Sequence, residues 1–287
     1  MKQLVILLTM LGLNTTIHAQ QQVIHLWPQA VPGETVAKQP AVVTGDSSNH
    51  VKRLTDITDP ILEVFPAPAE GNTGIGVIVC PGGGYSILAV NLEGYEIAAW
   101  LNQLGYTAFV LQYRVPKKEM GALQDAQRAM RIVRSRAAEW QLQPEKIGMM
   151  GFSAGGSLTA RTATLYNEHT YTPVDKSDEL SARPAFGILI YPAYLDKGNN
   201  RSLTPELKID AQTPPMFLFA TADDPYSNSA LVMVGALRDA KVPVELHFYA
   251  HGGHGYGLRT GNPAGKTWPA LLETWLKTAG KQVPQKL

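Results

Sequence analysis

The chain has 287 residues, of which 45% are hydrophobic and 17% are charged, a composition typical of globular proteins with a sizeable apolar core. Its 25 basic and 24 acidic residues leave a formal charge of +1, and no run of like charges stands out. This balance argues against nucleic acid or an anionic membrane surface as a partner. A single α/β domain often reaches this length.

The N-terminus has the layout of a secretory signal peptide. Lys2 precedes a mostly apolar stretch at 4–13, and a short polar segment leads from there to Ala19. The apolar stretch is too short to span a bilayer as a helix. We therefore expect a signal peptide over 1–19, cleavage after Ala19, and export to the periplasm or the medium without a membrane anchor. A buried first helix is the competing interpretation.

Cys80 is the only cysteine of the chain. An exported protein with one cysteine has no internal disulfide, so its stability must come from packing. Cys80 ends an apolar run, and we interpret it as a small buried residue.

The remaining sequence divides into two parts. Residues 20–60 are rich in Pro, Thr, Asp and Ser without clear periodicity, and we interpret them as an N-terminal extension before a catalytic domain at 61–287. From residue 61, short runs that are apolar on both faces alternate with helical patterns, as in parallel sheets covered by helices. The predicted strands are 61–65, 76–80, 106–113, 146–150, 186–191, 216–220 and 242–249.

Helical patterns separate these strands. The helix predicted at 121–140 is amphipathic, with arginines interspersed among small and aliphatic residues. Residues 192–213 break the alternation and are predicted to form a loop insertion near the carboxyl edge of the sheet. The alternation predicts an α/β fold, with a mostly parallel sheet and helices on both faces. The other predicted helices are 93–104, 154–166, 228–240 and 267–277.

The segment Gly-Phe-Ser-Ala-Gly at 151–155 matches the pattern Gly-x-Ser-x-Gly. It follows a predicted strand and precedes a helix rich in small residues, which is the context of a nucleophile that a sharp turn lifts above a sheet. The N-terminus of the following helix adds a positive field where negative charge develops. We therefore predict Ser153 as a nucleophile; the alternative is a helix N-cap serine.

A serine hydroxyl needs a base to take its proton, and in this fold the chain order is serine, acid, histidine. His254 fits the last place, in a glycine-rich segment at 251–257 that follows the last predicted strand. His251 is the alternative base, and His247, inside the strand, is interpreted as structural. A metal site of these three histidines is a further alternative, but their spacing is not helical and no carboxylate cluster is near.

The acid is expected after the strand 216–220, where Asp223 and Asp224 stand. One carboxylate must accept the imidazole N–H and hold the reactive tautomer. Adjacent side chains point apart, so only one of the two can serve. The other is expected to cap the turn or the following helix.

A glycine-rich loop, Pro-Gly-Gly-Gly-Tyr at 81–85, follows the strand 76–80. Glycines let backbone N–H groups approach a substrate closely. The N–H groups of Gly83, Gly84 and Ala154 are therefore predicted to form an oxyanion hole. A phosphate loop is the alternative, but the Gly-x-x-x-x-Gly-Lys spacing is missing. Tyr85 and Tyr256 flank the proposed catalytic loops and are predicted to bind substrate.

Several motifs together resemble the carbohydrate acetylesterases of the α/β-hydrolase superfamily, often labelled acetyl xylan esterase. The resemblance runs from about Trp27 to about Leu276. It departs at Pro81, where many esterases have a histidine, and at Tyr226-Ser227, where Val-Pro is more usual. The motifs that carry it are Cys-Pro-Gly-Gly-Gly-Tyr at 80–85, Glu93-Gly94, Tyr113-Arg114, Gly-Phe-Ser-Ala-Gly-Gly at 151–156, Tyr191-Pro192 and Gly-Gly-His-Gly-Tyr-Gly at 252–257.

This resemblance implies an α/β-hydrolase fold and removal of acetyl groups from plant polysaccharides or oligosaccharides, without a metal or an organic cofactor. It favours His254 as base and, because an Asp-Pro step is common in related hydrolases, Asp224 as acid, with Asp223 as the alternative. Two other functions stay open. One is another serine hydrolase, such as a feruloyl esterase, short-chain carboxylesterase, lipase or peptidase; the other is a non-catalytic carbohydrate-binding relative.

Overall fold

The computed structural model describes residues 22–282, so the predicted signal peptide lies outside the described residues. The strands are β1 Gln22–His25, β2 Val42–Val43, β3 Arg53–Thr55, β4 Ile61–Phe65, β5 Gly76–Cys80, β6 Leu88–Ala89, β7 Thr107–Gln112, β8 Ile147–Phe152, β9 Gly187–Ile190, β10 Met216–Thr221 and β11 Val244–Tyr249. The helices are α1 Glu96–Gln103, α2 Glu119–Ser135, α3 Ala154–Thr164, α4 Asn228–Asp239 and α5 Pro263–Gln282.

Eight of these strands form one twisted sheet in the order β1-β4-β7-β5-β8-β9-β10-β11. Neighbours from β7 to β11 run parallel, while β1, β4 and β7 pair antiparallel at one end. The central strands β5, β7, β8, β9 and β10 are buried along their whole length, which explains their uninterrupted apolar runs. The predicted α/β-hydrolase fold is confirmed.

The predicted strands match the observed ones closely, whereas α5 begins four residues earlier and ends five residues later than predicted. Strands β4 and β5 have the predicted bounds, and the other predicted strands differ by one or two residues at either end. Helix α2 ends at Ser135, earlier than predicted, and a separate 3₁₀ turn follows at Ala137–Trp140. The insertion at 192–213 has one 3₁₀ turn, Asn199–Arg201. Cys80 is buried as expected, and its burial raises the pKa of the thiol.

Residues 22–60 differ from the predicted N-terminal extension. Strand β1 forms the edge of the main sheet, where Ile24 lies opposite Leu62. Trp27 is fully buried, and its indole N–H donates to Asp125 Oδ1 at 2.8 Å. Strands β2 and β3 pair with β6 in a small antiparallel sheet. This segment is therefore packed into the α/β domain, which its irregular composition did not indicate.

The arginines of α2 bind neighbouring segments. Arg128, Arg131 and Arg134 are less than a tenth exposed. The Nε atoms of Arg128 and Arg131 donate to the carbonyl oxygens of Leu26 and Leu180, both at 3.0 Å. Their guanidinium groups thus satisfy backbone carbonyls of loops that lack a regular hydrogen-bonding partner. Across residues 22–282, no helix combines the length and apolar character needed to cross a membrane.

Parallel packing places the carboxyl ends of β5, β8, β10 and β11 along one edge of the sheet. The glycine-rich loop follows β5, Ser153 follows β8, the two aspartates follow β10, and the histidine loop follows β11. In open α/β sheets this edge is where ligands bind.

Candidate active site

Ser153 sits on a sharp turn between β8 and α3. Its backbone angles, φ 53° and ψ −118°, lie in a strained region that non-glycine residues rarely adopt. The flanking residues must be glycines because a larger side chain would clash with the backbone. A Cβ on Gly151 would lie 2.0 Å from the carbonyl oxygen of Gly155. A Cβ on Gly155 would lie 2.0 Å from the carbonyl oxygen of Cys80. The strand-turn-helix unit is therefore compressed around the serine, as in a nucleophile elbow.

Ser153, His254 and Asp224 form a hydrogen-bonded row. Ser153 Oγ lies 2.7 Å from His254 Nε2, and His254 Nδ1 lies 2.7 Å from Asp224 Oδ2. Asp224 is buried, while His254 is about a quarter exposed on its side chain. In the tautomer that this arrangement favours, Nδ1–H donates to the carboxylate and Nε2 accepts the serine proton.

The alternative residues lie elsewhere. The side chain of His251 is 87% exposed and lies 3.5 Å from Asp223. His247 pairs with Glu245 at 2.7 Å on the edge strand β11. Asp223 binds the backbone of the loop that carries His254. Of the candidate bases and acids, the structure brings His254 and Asp224 together with Ser153.

The glycine-rich loop faces the serine. Gly83 and Gly84 have positive φ angles of 137° and 64°, and a Cβ on Gly83 would clash with Ile87. Both glycines border the same cavity as Ser153. Among the hydrogen bonds within residues 22–282, the N–H groups of Gly83, Gly84 and Ala154 have no protein acceptor. These three donors are free to bind an anionic oxygen at Ser153.

The comparisons with known proteins agree with this geometry. A family model described as BD-FAE matches residues 62–190. The acetyl ester-xyloside bifunctional hydrolase of Caldicellulosiruptor lactoaceticus superposes with a TM-score of 0.75 at 30% identity, covering 93% of this chain and 99% of that one. The chain belongs to the BD-FAE family of α/β hydrolases.

Two curated relatives are larger than this hydrolase. The acetylxylan esterase of Xylanibacter ruminicola is 31% identical to this chain over 235 aligned positions, and the match covers 73% of this chain and 46% of that protein. The endo-1,4-beta-xylanase B of Butyrivibrio fibrisolvens is 30% identical to this chain over 206 aligned positions, and the match covers 62% of this chain and 32% of that protein. The chain therefore spans less than half the length of either relative.

A cavity of about 320 Å³ opens over Ser153 in this hydrolase. Residues of the N-terminal segment contribute to its lining, and so do Tyr194 and Tyr226, which follow β9 and β10. The Tyr226 ring packs 4.9 Å from the His254 ring and 5.5 Å from Tyr194. The lining residues are Asn49, Val51, Arg53, Gly83, Gly84, Ala89, Leu92, Glu93, Ser153, Tyr194, Tyr226, His254, Gly255 and Arg259.

The two tyrosines predicted to bind substrate do not line this cavity. Tyr85 and Tyr256 are 4% and 5% exposed, and Tyr256 packs against the Tyr191 ring at 4.5 Å. Sequence reasoning favoured them because they adjoin the catalytic loops, but adjacency along the chain does not fix the direction of a side chain. Tyr194 and Tyr226 line the cavity instead, and their place after two parallel strands is the sequence signal that could have identified them.

Proposed function

We propose that this α/β hydrolase is a serine esterase that removes acetyl groups from carbohydrates. The observation that carries the proposal is the hydrogen-bonded row Ser153–His254–Asp224, whose serine and histidine line the cavity together with Gly83 and Gly84. Such a row activates a hydroxyl for attack on an acyl carbon, and it needs a buried carboxylate to hold the imidazole.

The reaction proceeds through an acetyl-enzyme. Ser153 Oγ bonds to the ester carbonyl carbon while His254 Nε2 takes the hydroxyl proton, and the carbonyl electron pair moves onto its oxygen. The N–H groups of Gly83, Gly84 and Ala154 stabilise that oxyanion. The electron pair on the oxyanion then re-forms the carbonyl, the bond between the acyl carbon and the sugar oxygen breaks, and His254 gives its proton to that oxygen. Water repeats these steps on the acetyl-enzyme and releases acetate.

The substrate class rests on two further observations. Over the aligned residues, the acetylxylan esterase is 31% identical to this chain and the acetyl ester-xyloside hydrolase is 30% identical. The cavity carries aromatic side chains and polar groups, which suit a sugar better than a long aliphatic acyl chain. An acetylated polysaccharide or oligosaccharide outside the cytoplasm fits the N-terminal sequence, and we include that location in the proposal.

Acetate release from a panel of acetylated polysaccharides and oligosaccharides tests the proposal. Ser153→Ala should fold normally and lose at least about 10³-fold in p-nitrophenyl acetate hydrolysis. Ser135→Ala, at the end of α2 and outside the cavity, serves as the control and should keep wild-type activity. Retention of most activity by Ser153→Ala would overturn the assignment.

Two further measurements separate related functions. Faster turnover of butyryl or feruloyl esters than of acetyl esters would replace the acetylesterase with another serine hydrolase. Labelling of Ser153 by a fluorophosphonate probe is expected because that probe needs an activated serine, and failure to label would indicate a non-catalytic binding protein.

A further inference from the structure

Glu93 is a buried carboxylate beside the active site that the acyl-transfer steps above do not use. It lies in a π-helical turn, Asn91–Tyr95, that leads into α1, and it is 3% exposed. A carboxylate is costly to bury unless hydrogen bonds replace its water. Glu93 has two such bonds: Oε2 accepts from the N–H of Gly82 at 2.7 Å, and Oε1 accepts from Tyr191 Oη at 2.8 Å.

Tyr191 continues this network to the histidine loop. It follows β9 and is fully buried. Its hydroxyl oxygen accepts from the N–H of Gly257 at 3.0 Å while its hydroxyl hydrogen goes to Glu93. Its ring also packs against the His254 ring, with centroids 5.1 Å apart. One buried network therefore joins the glycine-rich loop to the loop that carries the base.

The hydrogen bonds of the network require two acceptor oxygens at its centre. Both partners of Glu93 are donors, so both of its oxygens must accept. Burial raises the pKa of Glu93 above its ordinary value, and the hydrogen bonds from Tyr191 and Gly82 offset part of that rise. Burial and the negative charge of Glu93 hold the pKa of Tyr191 well above its ordinary value, so the phenol keeps its proton and remains a donor. A glutamine at 93 cannot accept from both partners.

We propose that Glu93 is a positioning residue that, through Tyr191, holds the glycine-rich loop and the His254 loop in the mutual arrangement that hydrolysis needs. This inference rests on the esterase function proposed above. An oxyanion donor is effective only at about 2.7–3.1 Å from the developing charge, and a misplacement of about 1 Å costs roughly 10²-fold in rate. The loss from a broken network should therefore appear in kcat, with KM nearly unchanged.

The test is the steady-state kinetics of full-length Glu93→Gln and Tyr191→Phe on p-nitrophenyl acetate. We expect kcat to fall about 10- to 100-fold in Glu93→Gln, with KM within about threefold of wild type. Tyr191→Phe removes a single hydroxyl and keeps the ring, so it remains informative if Glu93→Gln folds poorly. The double variant should lose little beyond the larger single effect, because the two residues act as one unit.

Glu63→Gln is the matched control, since it makes the same chemical change in another hydrogen-bonded glutamate. Glu63 on β4 accepts from Gln112 at 2.8 Å and does not line the cavity. It should keep the wild-type kcat. Melting temperatures of all variants show whether a loss of rate follows merely from unfolding.

Three outcomes decide the matter. A lower kcat with unchanged KM in Glu93→Gln and Tyr191→Phe, absent in Glu63→Gln, supports the positioning role. A normal kcat in the Glu93 and Tyr191 variants, with or without a lower melting temperature, overturns it while leaving the esterase function intact. If the wild-type protein hydrolyses no ester, the proposed function itself fails, and the positioning role with it.

Discussion

Asp223 and Asp224 are neighbours in the chain, yet their carboxylates bind different groups of the same histidine loop, one the backbone and the other the imidazole. Asp224 Oδ2 lies 2.7 Å from the imidazole of His254, and its Oδ1 accepts from the N–H of Tyr226 at 2.8 Å. Asp223 accepts from the N–H groups of Gly252 at 3.1 Å and Gly253 at 2.8 Å. One aspartate binds the imidazole itself, and the other holds the backbone just before it.

Replacing each aspartate by asparagine should therefore give different defects. Asp224→Asn leaves the shape intact but removes the charge that holds the imidazole tautomer, so kcat should fall about 10³- to 10⁴-fold. Asp223→Asn weakens only the loop, and we expect about a tenfold loss or less. Asp239→Asn, at the exposed end of α4, is the control. Steady-state hydrolysis of p-nitrophenyl acetate measures all three, and an equal loss in both active-site variants would contradict this division.

The bonds of Asp223 also predict a dependence of stability on pH. Hydrogen bonds from the Gly253 N–H, the Thr221 hydroxyl and the Gly252 N–H lower the pKa of Asp223 from 3.8 to about 2. Because the folded-state pKa is depressed, these bonds stabilise the protein fully at pH values above 3.8. That contribution is lost as the pH falls through about 2.

Urea unfolding of wild type and Asp223→Asn between pH 2 and 6 checks this expectation. The difference in free energy of unfolding between the two proteins should be largest above about pH 4 and should shrink toward pH 2. A difference that is constant over this range would show that ionisation of Asp223 does not contribute.

Two glycines offer a matched pair of alanine substitutions. In Gly155→Ala the new Cβ would meet the carbonyl oxygen of Cys80 at 2.0 Å, so α3 must move away from β5. We expect a loss of about 1–3 kcal/mol in stability, together with a loss of activity. Gly235 lies inside α4, and a Cβ added there would have no neighbouring atom within 4 Å, so Gly235→Ala should gain about 0.5–1 kcal/mol. Thermal unfolding distinguishes these opposite signs, and destabilisation by both would refute the packing argument.

Structural features that local sequence patterns determine are predictable here, whereas features that depend on contacts between distant residues are not. Ser153 and the buried strands are predictable because a short motif and uninterrupted apolar runs are local signals. The contact of Glu93 with Tyr191 joins residues 98 positions apart and depends on how β9 lies against the turn before α1. The buried arginines of α2 are similar: charge alone suggests an exposed face, and only the carbonyl groups of distant loops explain their burial. Local patterns thus indicate the elements, whereas the supports of the site come from the tertiary packing.

The cavity tyrosines provide a direct test of where a saccharide binds. Tyr194 lines the cavity, and its hydroxyl lies 3.4 Å from the position of a Cβ on Gly84. If its ring packs against a sugar, Tyr194→Ala should raise KM for an acetylated oligosaccharide about 3- to 10-fold, with a smaller effect on p-nitrophenyl acetate. Tyr256→Phe should change neither value, because Tyr256 is buried and its hydroxyl has no hydrogen-bonding partner among the described residues. An unchanged KM in Tyr194→Ala, or a raised one in Tyr256→Phe, would move the saccharide site away from Tyr194.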